Sequence, residues 1–343
     1  MTALRDISEE TGYSVSTVSR ALDNSPLISR NTRQIIRKVA IKMNYDFHNK
    51  QQLKHSCKMV GVIIPDISNY FFSCIVQGIN AYYRGSDFVV VLFDTGGGEY
   101  EENVAIKKAL SMEMSGLIVF SGRKELDYLK EIDAVKMPVV VIGSEDQGIN
   151  VIDTDNKKGA YLATKHLLSL GHTHIGVVSG HLESKSRLAR LEGYKEALVE
   201  SGILYNPELV WEGSATKNFG YSCALEFLQK DAAPSAVITQ NDMVALGVMA
   251  AAEELGVKIP DQLAVVGYDN TLLAAAVTPH LTSVMQPQVE MGHIAAEIIE
   301  ELVSGKKTDK SKIVITPRLI IRESTIGADI YNNEQQKIIG GKE

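Results

Sequence analysis

Between residues 60 and 267, short apolar runs alternate with longer amphipathic segments, and that alternation admits few architectures. Val60–Pro65, Phe88–Phe93, Gly116–Phe120, Val139–Ile142, Ile175–Ser179, Ala236–Thr239 and Leu263–Gly267 are continuous apolar runs. Strands that are apolar on both faces belong inside parallel sheets, because those sheets are covered on both sides. Phe71–Tyr83, Tyr100–Met112, Lys157–Leu170, Leu188–Ser201, Gly220–Leu228 and Met243–Leu255 are amphipathic at helical spacing. Strand–helix–strand order predicts an α/β fold of parallel sheets flanked by helices. Thirteen such elements overfill one sheet, so two sheets in two lobes are expected.

The first residues obey a different period. Leu4, Ile7 and Ser8 share one inward helical face, and Val15, Val18 and Leu22 share another. Gly12 lies between them, and glycine permits the backbone angle that a steep turn between two short helices needs. Ser14 stands where an N-cap belongs. A third helix is expected from about Arg30 to Met43, capped by Ser29, with Ile35, Ile36, Val39, Ala40 and Met43 as its apolar stripe. Such a helix-turn-helix presents its second helix to the major groove of DNA, where all four base pairs are distinguishable. The charge distribution agrees. The whole chain of 343 residues carries a net charge of −7, yet residues 1–58 hold ten Lys+Arg against five Asp+Glu. A basic head is drawn to phosphates and an acidic body is not.

Other classes find little support. No apolar run is long enough to span a membrane, and no secretory apolar region follows the start. Cys57, Cys74 and Cys223 are scattered, matching neither a disulfide framework nor a zinc spacing, so a reducing cytoplasm is expected. His172 and His174 imitate a metal pair but sit in a Gly-His turn, and no metal is expected. Gly96-Gly97-Gly98 lacks the dinucleotide fingerprint and there is no P-loop, so no cofactor is expected. No nucleophile–base set falls within one motif, so an enzyme has no positive signal.

The string Val15-Ser16-Thr17-Val18-Ser19-Arg20-Ala21-Leu22-Asp23-Asn24, followed by Thr32-Arg33 and Tyr45, resembles the start of the lac repressor (LacI/GalR) family. The resemblance runs to about residue 326. It implies a helix-turn-helix headpiece over 1–45, a hinge or linker over 46–58, and a periplasmic-binding-protein-like core over 59–327. A polar tail over 328–343 follows. Lobe 1 of that core would span about 59–157 and 288–319, and lobe 2 about 158–287 and 320–327. The chain would cross between lobes near 155–160, 286–289 and 318–321. The resemblance assigns base reading to Val15, Ser16 and Arg20; Thr17, Ser19, Asn24 and Thr32 suit phosphate contacts, which fix register. Arginine can bind guanine bidentately. The linker departs from the family: it lacks the usual Pro-Asn and Ala-Arg, and Leu53 is the one leucine available as a minor-groove wedge. A hinge helix and a plain tether both remain open.

Three core motifs match the same family. They are Arg190-Leu-Glu-Gly-Tyr194, opening a helix; Asn241-Asp242-Met-Val-Ala-Leu-Gly247; and Val265-Val-Gly-Tyr-Asp269-Asn270. All follow expected strands, and ligands of open α/β sheets bind beyond the carboxyl ends of strands. The resemblance makes Arg190 the ligand clamp. Asp269 can accept two hydroxyls and Asn241 can donate and accept, which suits a sugar. The alternatives are a surface cation, a turn residue and a helix cap. Asn69, Phe71 and Phe72 would form the near wall in lobe 1, with at least one phenylalanine in the core. Ala215 replaces a common aromatic, and Trp211 reads as core packing.

The expected function is sequence-specific regulation of transcription. A repressor would bind a near-palindromic double-stranded operator as a homodimer, under control of a small sugar or sugar derivative held between the lobes. Within the family, a phosphocarrier protein or a purine corepressor could replace the sugar. Outside it, a sugar-binding or sugar-modifying protein with an accessory head is the alternative. Residues 328–343 show no leucine heptad, so a dimer joined by core faces, including helix Phe71–Tyr83, is expected rather than a tetramer.

Overall fold

The computed structural model describes residues 4–22, 25, 27–43, 45, 57–121, 132, 135–143, 148–182, 184–306, 311–329 and 331. Asn24, Leu53, most of the linker and most of the tail lie outside the described residues. The chain divides into two units, Met1–Cys57 and Lys58–Glu343.

The first unit holds α1 (Leu4–Thr11), α2 (Val15–Leu22) and α3 (Arg30–Lys42). Gly12 turns between α1 and α2 at φ +70°, a region that glycine enters without steric cost. The Ser14 hydroxyl accepts the Thr17 N–H at 3.2 Å and Ser29 accepts the Thr32 N–H at 3.1 Å, so both helices are capped as expected. Arg33 closes the loop before α3 by donating to the carbonyls of Ser25 and Ile28. Leu4, Ile7, Val18, Ala21, Ile36, Ala40 and Tyr45 form the core. Two expectations are corrected. Val15 is 43% exposed and Ala21 is buried instead, because only the second turn of α2 lies over the core. Ile35 is 41% exposed, one position off the Ile36–Ala40 stripe of α3.

The second unit begins with β1 (Lys58–Ile64), α4 (Tyr70–Tyr82), β2 (Phe88–Asp94), α5 (Glu99–Ser111), β3 (Gly116–Phe120), β4 (Val139–Ile142) and β5 (Asn150–Thr154). Then come α6 (Asn156–Ser169), β6 (Ile175–Gly180), α7 (Lys185–Glu200), β7 (Val210–Gly213), α8 (Lys217–Leu228), β8 (Ala236–Thr239), α9 (Asp242–Glu254) and β9 (Ala264–Asp269). The unit ends with α10 (Leu272–Ala276), β10 (Thr282–Met285), α11 (Gln288–Val303), β11 (Lys312–Ile315), β12 (Arg318–Ile320) and α12 (Glu323–Ile326). Two six-stranded sheets result, ordered β11-β5-β4-β3-β1-β2 and β12-β10-β9-β8-β6-β7. Every pairing is parallel except β10 with β12.

Each sheet is apolar on both faces, as the unbroken runs require. Val60, Val62 and Ile64 face Ile75 and Ile79 of α4 and Ile299 of α11, while Ile63 and Leu117 face Ile106 of α5. In the second sheet, Val178, Val237 and Val265 face α8 and α9, while Ile238 and Val266 face α6 and α7. The chain passes from the first sheet to the second after Thr154, returns between Met285 and Gln288, and passes again between Ile315 and Arg318. The third passage lies slightly before the expected 318–321, because Arg318 already pairs in β12.

Helix α7 sits close against α6 because Gly193 presents no side chain there. A methyl at Gly193 would overlap the Lys157 carbonyl. Gly193→Ala is expected to cost roughly 1–3 kcal/mol by forcing the backbones apart. A melting curve lower by several degrees checks this; an unchanged one refutes the backbone contact.

Candidate DNA-reading face and effector site

In the first unit, α2 turns Val15, Ser16 and Arg20 outward, all exposed, while Val18 and Ala21 hold the core. Ser16 and Arg20 stand four residues apart and so share one helix face. Ser16 and Thr17 both place their hydroxyls on that of Ser14, at 2.9 and 2.8 Å. Thr32 bonds the Ser29 hydroxyl at 2.8 Å, and Ser19 is half-buried. The Arg20 side chain is exposed and makes no hydrogen bond or ion pair to another described residue.

In the second unit, the polar groups collect at the carboxyl ends of β6, β8 and β9. Helix α7 starts at Lys185, one turn before the expected Leu188. Arg190 therefore lies in the second turn rather than at the opening, and Arg187 lies one turn ahead of it. The Arg190 guanidinium covers the face of buried Tyr268, 3.5 Å from its centre. Its Nε donates to Asn156 Oδ1 at 2.8 Å and an Nη to the Gln240 carbonyl at 2.6 Å. Arg187 Nε donates to Gln240 Oε1 at 2.8 Å, and Gln240 Nε2 donates to the Ser214 carbonyl. Gly180 makes room for this pair, since a methyl there would overlap both Arg187 Nε and Gln240 Oε1. Burial, then the like charge of Arg190, pushes Arg187 down to about 10.

Asp269 is only 6% exposed and adopts φ +98°, a strained angle for a non-glycine residue. Its Oδ1 accepts from Gln286 Nε2 at 2.6 Å, and its carbonyl accepts from Gln288. Burial pushes its carboxyl up to about 7, against the pull of Arg190. Gln286 Oε1 in turn accepts the Thr154 hydroxyl at 2.5 Å. Asn156 Nδ2 donates to the Thr154 carbonyl at 3.0 Å. One hydrogen-bonded network thus runs Arg190–Asn156–Thr154–Gln286–Asp269, and it passes through two of the three sheet-to-sheet passages.

The remaining expected residues have structural duties. Asn241 caps α9, accepting the Val244 N–H at 2.9 Å, and its amide nitrogen reaches the Ala215 carbonyl at 3.3 Å. Asn69 caps α4 by accepting the Phe71 N–H at 3.0 Å. Phe72 packs edge-on against Phe120, and Phe71 against Phe72; both are half-buried against the first-sheet core. Among the described residues, no hydrogen bond joins Asn69 to Arg190 or Asp269. Trp211 packs on Phe227. His172 bonds the Ser235 hydroxyl and His174 the Ala232 carbonyl, and the described residues hold no cluster suited to a metal ion. Asp242 is buried among Thr271 and Ser283, which donate three hydrogen bonds to it, and burial raises it to about 6.

Arg187, Gln240, Asn156, Gln286 and Tyr268 were not anticipated. The spacing in Ser186-Arg187-Leu188-Ala189-Arg190 signals two arginines on one helix face. The glutamines and Asn156 carry no such local signal.

Comparison with known proteins supplies the family. Residues 3–46 match the bacterial regulatory proteins of the lacI family, and residues 164–325 match the periplasmic binding protein-like domain. The HTH-type transcriptional repressor PurR of Vibrio vulnificus (strain CMCP6) is 30% identical over 332 residues, covering 94% of this chain and 98% of that protein. The lac repressor dimer bound to operator and the anti-inducer ONPF superposes with a TM-score of 0.75 at 27% identity, over 95% of this chain and 99% of that one. A LacI family transcriptional regulator from Enterococcus faecium with bound ribose gives 0.73 at 29% identity, over 79% and 100%. These relatives are regulators of transcription, not enzymes. Among the described residues no helix is long and apolar enough to cross a membrane. With a lacI-type head, a binding-protein-like core and identity along nearly the whole of both chains, this protein belongs to the LacI family of bacterial regulatory proteins.

Proposed function

We propose that this protein is a cytoplasmic transcriptional repressor whose operator affinity is set by a small sugar held between the two lobes of its core. The observation that carries the reading is the pairing of two parts in one chain. An outward α2 face offers Val15, Ser16 and an exposed Arg20, and a two-sheet core gathers Arg190 and Asp269 beyond the carboxyl end of its second sheet. The operator-bound lac repressor dimer matches 95% of this chain, and the ribose-bound regulator matches 79% of it.

In this reading residues 1–45 read DNA, 46–58 link, 59–327 bind the effector and dimerise, and 328–343 form a tail. Val15, Ser16 and Arg20 contact bases, while Thr17, Ser19, Asn24 and Thr32 contact phosphates. Leu53 would wedge the minor groove if the linker folds on DNA. Arg190 and Asp269 bind the sugar from the second lobe. Asn241 supports them with its remaining amide hydrogen, and Asn69, Phe71 and Phe72 form the opposite wall. A sugar that competes for Arg190 or Asp269 perturbs the network through the sheet-to-sheet passages. Ligand binding and lobe angle are thereby coupled, which is the differential contact that allostery requires.

Gel-shift titration tests the DNA half. Arg20→Ala is expected to weaken operator binding by about 1–3 kcal/mol while barely changing affinity for random DNA. An unchanged preference for operator over random sequence refutes the assignment. Light scattering on the full chain is expected to report a dimer at micromolar protein, and a stable tetramer would refute the dimer.

A further inference from the structure

We infer that Arg187 and Arg190 together form an oxyanion subsite, so that the effector is an acidic sugar bearing a carboxylate or phosphate rather than a neutral one. The inference rests on the sugar-effector reading above and narrows its ligand class.

Two guanidiniums stand one helical turn apart on α7, at the carboxyl ends of the second sheet. Among the described residues neither forms an ion pair. The carboxylate whose charge Arg187 feels is Asp269, and Asp269 is held by Gln286 and is itself partly neutral near pH 7 because of its burial. Asp155 caps α6 through the Lys158 N–H, Asp153 accepts from the Thr154 N–H and from Asn156, and among the described residues neither forms an ion pair with Arg187. Two guanidiniums therefore stand near one another with no direct ion-pair partner among the described residues. Like charges placed side by side away from bulk water are costly unless an anion joins them.

The way Arg187 is held points the same way. Its Nε is fixed by Gln240 and the space for that bond is cleared by Gly180. Anchoring through Nε leaves both terminal Nη groups as a fork, the geometry that matches a carboxylate or phosphate bidentately. Arg190 spends Nε and one Nη on Asn156 and Gln240 and keeps the other Nη. On the inner side of α7, between Leu191, Tyr194 and Tyr268, the cavity measures about 20 Å³, room for one water. Arg187 and Arg190 line this same cavity, so an anion larger than a water meets the guanidiniums only from outside it.

Calorimetry on the full chain tests this with ribose 5-phosphate, glucose 6-phosphate, glucuronate and gluconate, and with ribose and glucose as neutral partners. At least one acidic sugar is expected to bind, its neutral partner roughly 10- to 100-fold more weakly. Preference for the phosphates or for the sugar acids identifies which oxyanion is used. Arg187→Gln is expected to lower the acidic sugar's affinity by a similar factor and the neutral sugar's by much less, so that the preference for the acid collapses. Arg187→Lys, which keeps the charge without the fork, should fall between. Neutral sugars that bind as well as acidic ones, or an Arg187→Gln variant with undiminished acid binding, overturn the inference and leave the sugar-effector reading standing. Binding of no sugar in either set overturns both.

Discussion

Asp269→Asn is expected to raise the melting temperature of the ligand-free protein by several degrees at pH 8 and to weaken effector binding at least tenfold. The two effects have opposite signs and one origin. Burial raises the Asp269 carboxyl to about 7, above its ordinary value of 3.8. A carboxyl raised on folding contributes stability that is intact below its unfolded pKa and lost as pH rises through the folded one. The loss accrues from about pH 4 to about pH 7 and is complete at pH 8. The span corresponds to a few kcal/mol, on the order of 1.4 per pH unit. Asparagine removes the charge but keeps an oxygen to accept from Gln286 Nε2. The substitution should therefore stabilise the protein at pH 8 and do much less at pH 5. Asparagine has one acceptor oxygen where a bound sugar would use two, so ligand affinity falls. A destabilised Asp269→Asn at pH 8 would show that the carboxylate serves the fold rather than a ligand. Scanning calorimetry at the two pH values, beside sugar titration, separates these outcomes. Placing a costly charge in a strained turn is characteristic of a binding site.

The sequence made the large elements legible because their apolar spacing depends on local structure alone. The runs at 60–65 and 236–238 have no polar residue to dilute them, and both lie in interior strands. β5 escaped notice because Asn150, Asp153 and Thr154 interrupt it. Asp153 and Thr154 sit where the chain leaves the first sheet and bond Asn156 and Gln286 beyond it, while Asn150 starts the strand and accepts the Ser311 N–H. β11 and β12 are short edge strands with exposed Lys312 and Arg318, so half their surface follows no burial pattern. Helix α11 carries Met291, Ala295 and Ile299 at helical spacing, yet nothing local to it names the surface they cover. Its partner, α4, lies more than two hundred residues away in sequence, and the pairing is seen only in the fold.

The site was legible in part for the same reason. Arg190 and Asp269 follow strand ends that periodicity locates. Asn241 is open between ligand and cap in the sequence, and Asn69 is expected only in the pocket wall; the structure shows a helix cap at both positions. Gln286 is different. Its bond to Thr154 spans 132 residues, and a glutamine after a short strand carries no sign of such a partner. Arg187 was available from its three-residue spacing to Arg190, but the helix start was expected too late for the two to share a face.

Arg190→Ala is expected to abolish tens-fold or more of the effector affinity and to destabilise the protein more at pH 8 than at pH 5. Its removal strips donors from Asn156 Oδ1 and the Gln240 carbonyl and uncovers Tyr268. Each hydrogen bond lost with a charged donor costs about 1.5–3 kcal/mol. That part of the loss is independent of pH. The dependence enters through Asp269, whose charged form Arg190 favours. Without the guanidinium, the carboxyl moves further above 7, and the folded state bears a larger penalty wherever the unfolded chain would be ionised. At pH 5 the folded carboxyl is mostly protonated in both proteins, so the difference shrinks. The double variant Arg190→Ala with Asp269→Asn removes the titrating group, and its loss relative to Asp269→Asn alone should be the same at both pH values. A double-mutant cycle at pH 5 and pH 8 reads the coupling directly. A pH-independent loss in the single variant would mean that Arg190 acts on the network by hydrogen bonding alone. Undiminished sugar affinity in that variant would place the effector site elsewhere in the core.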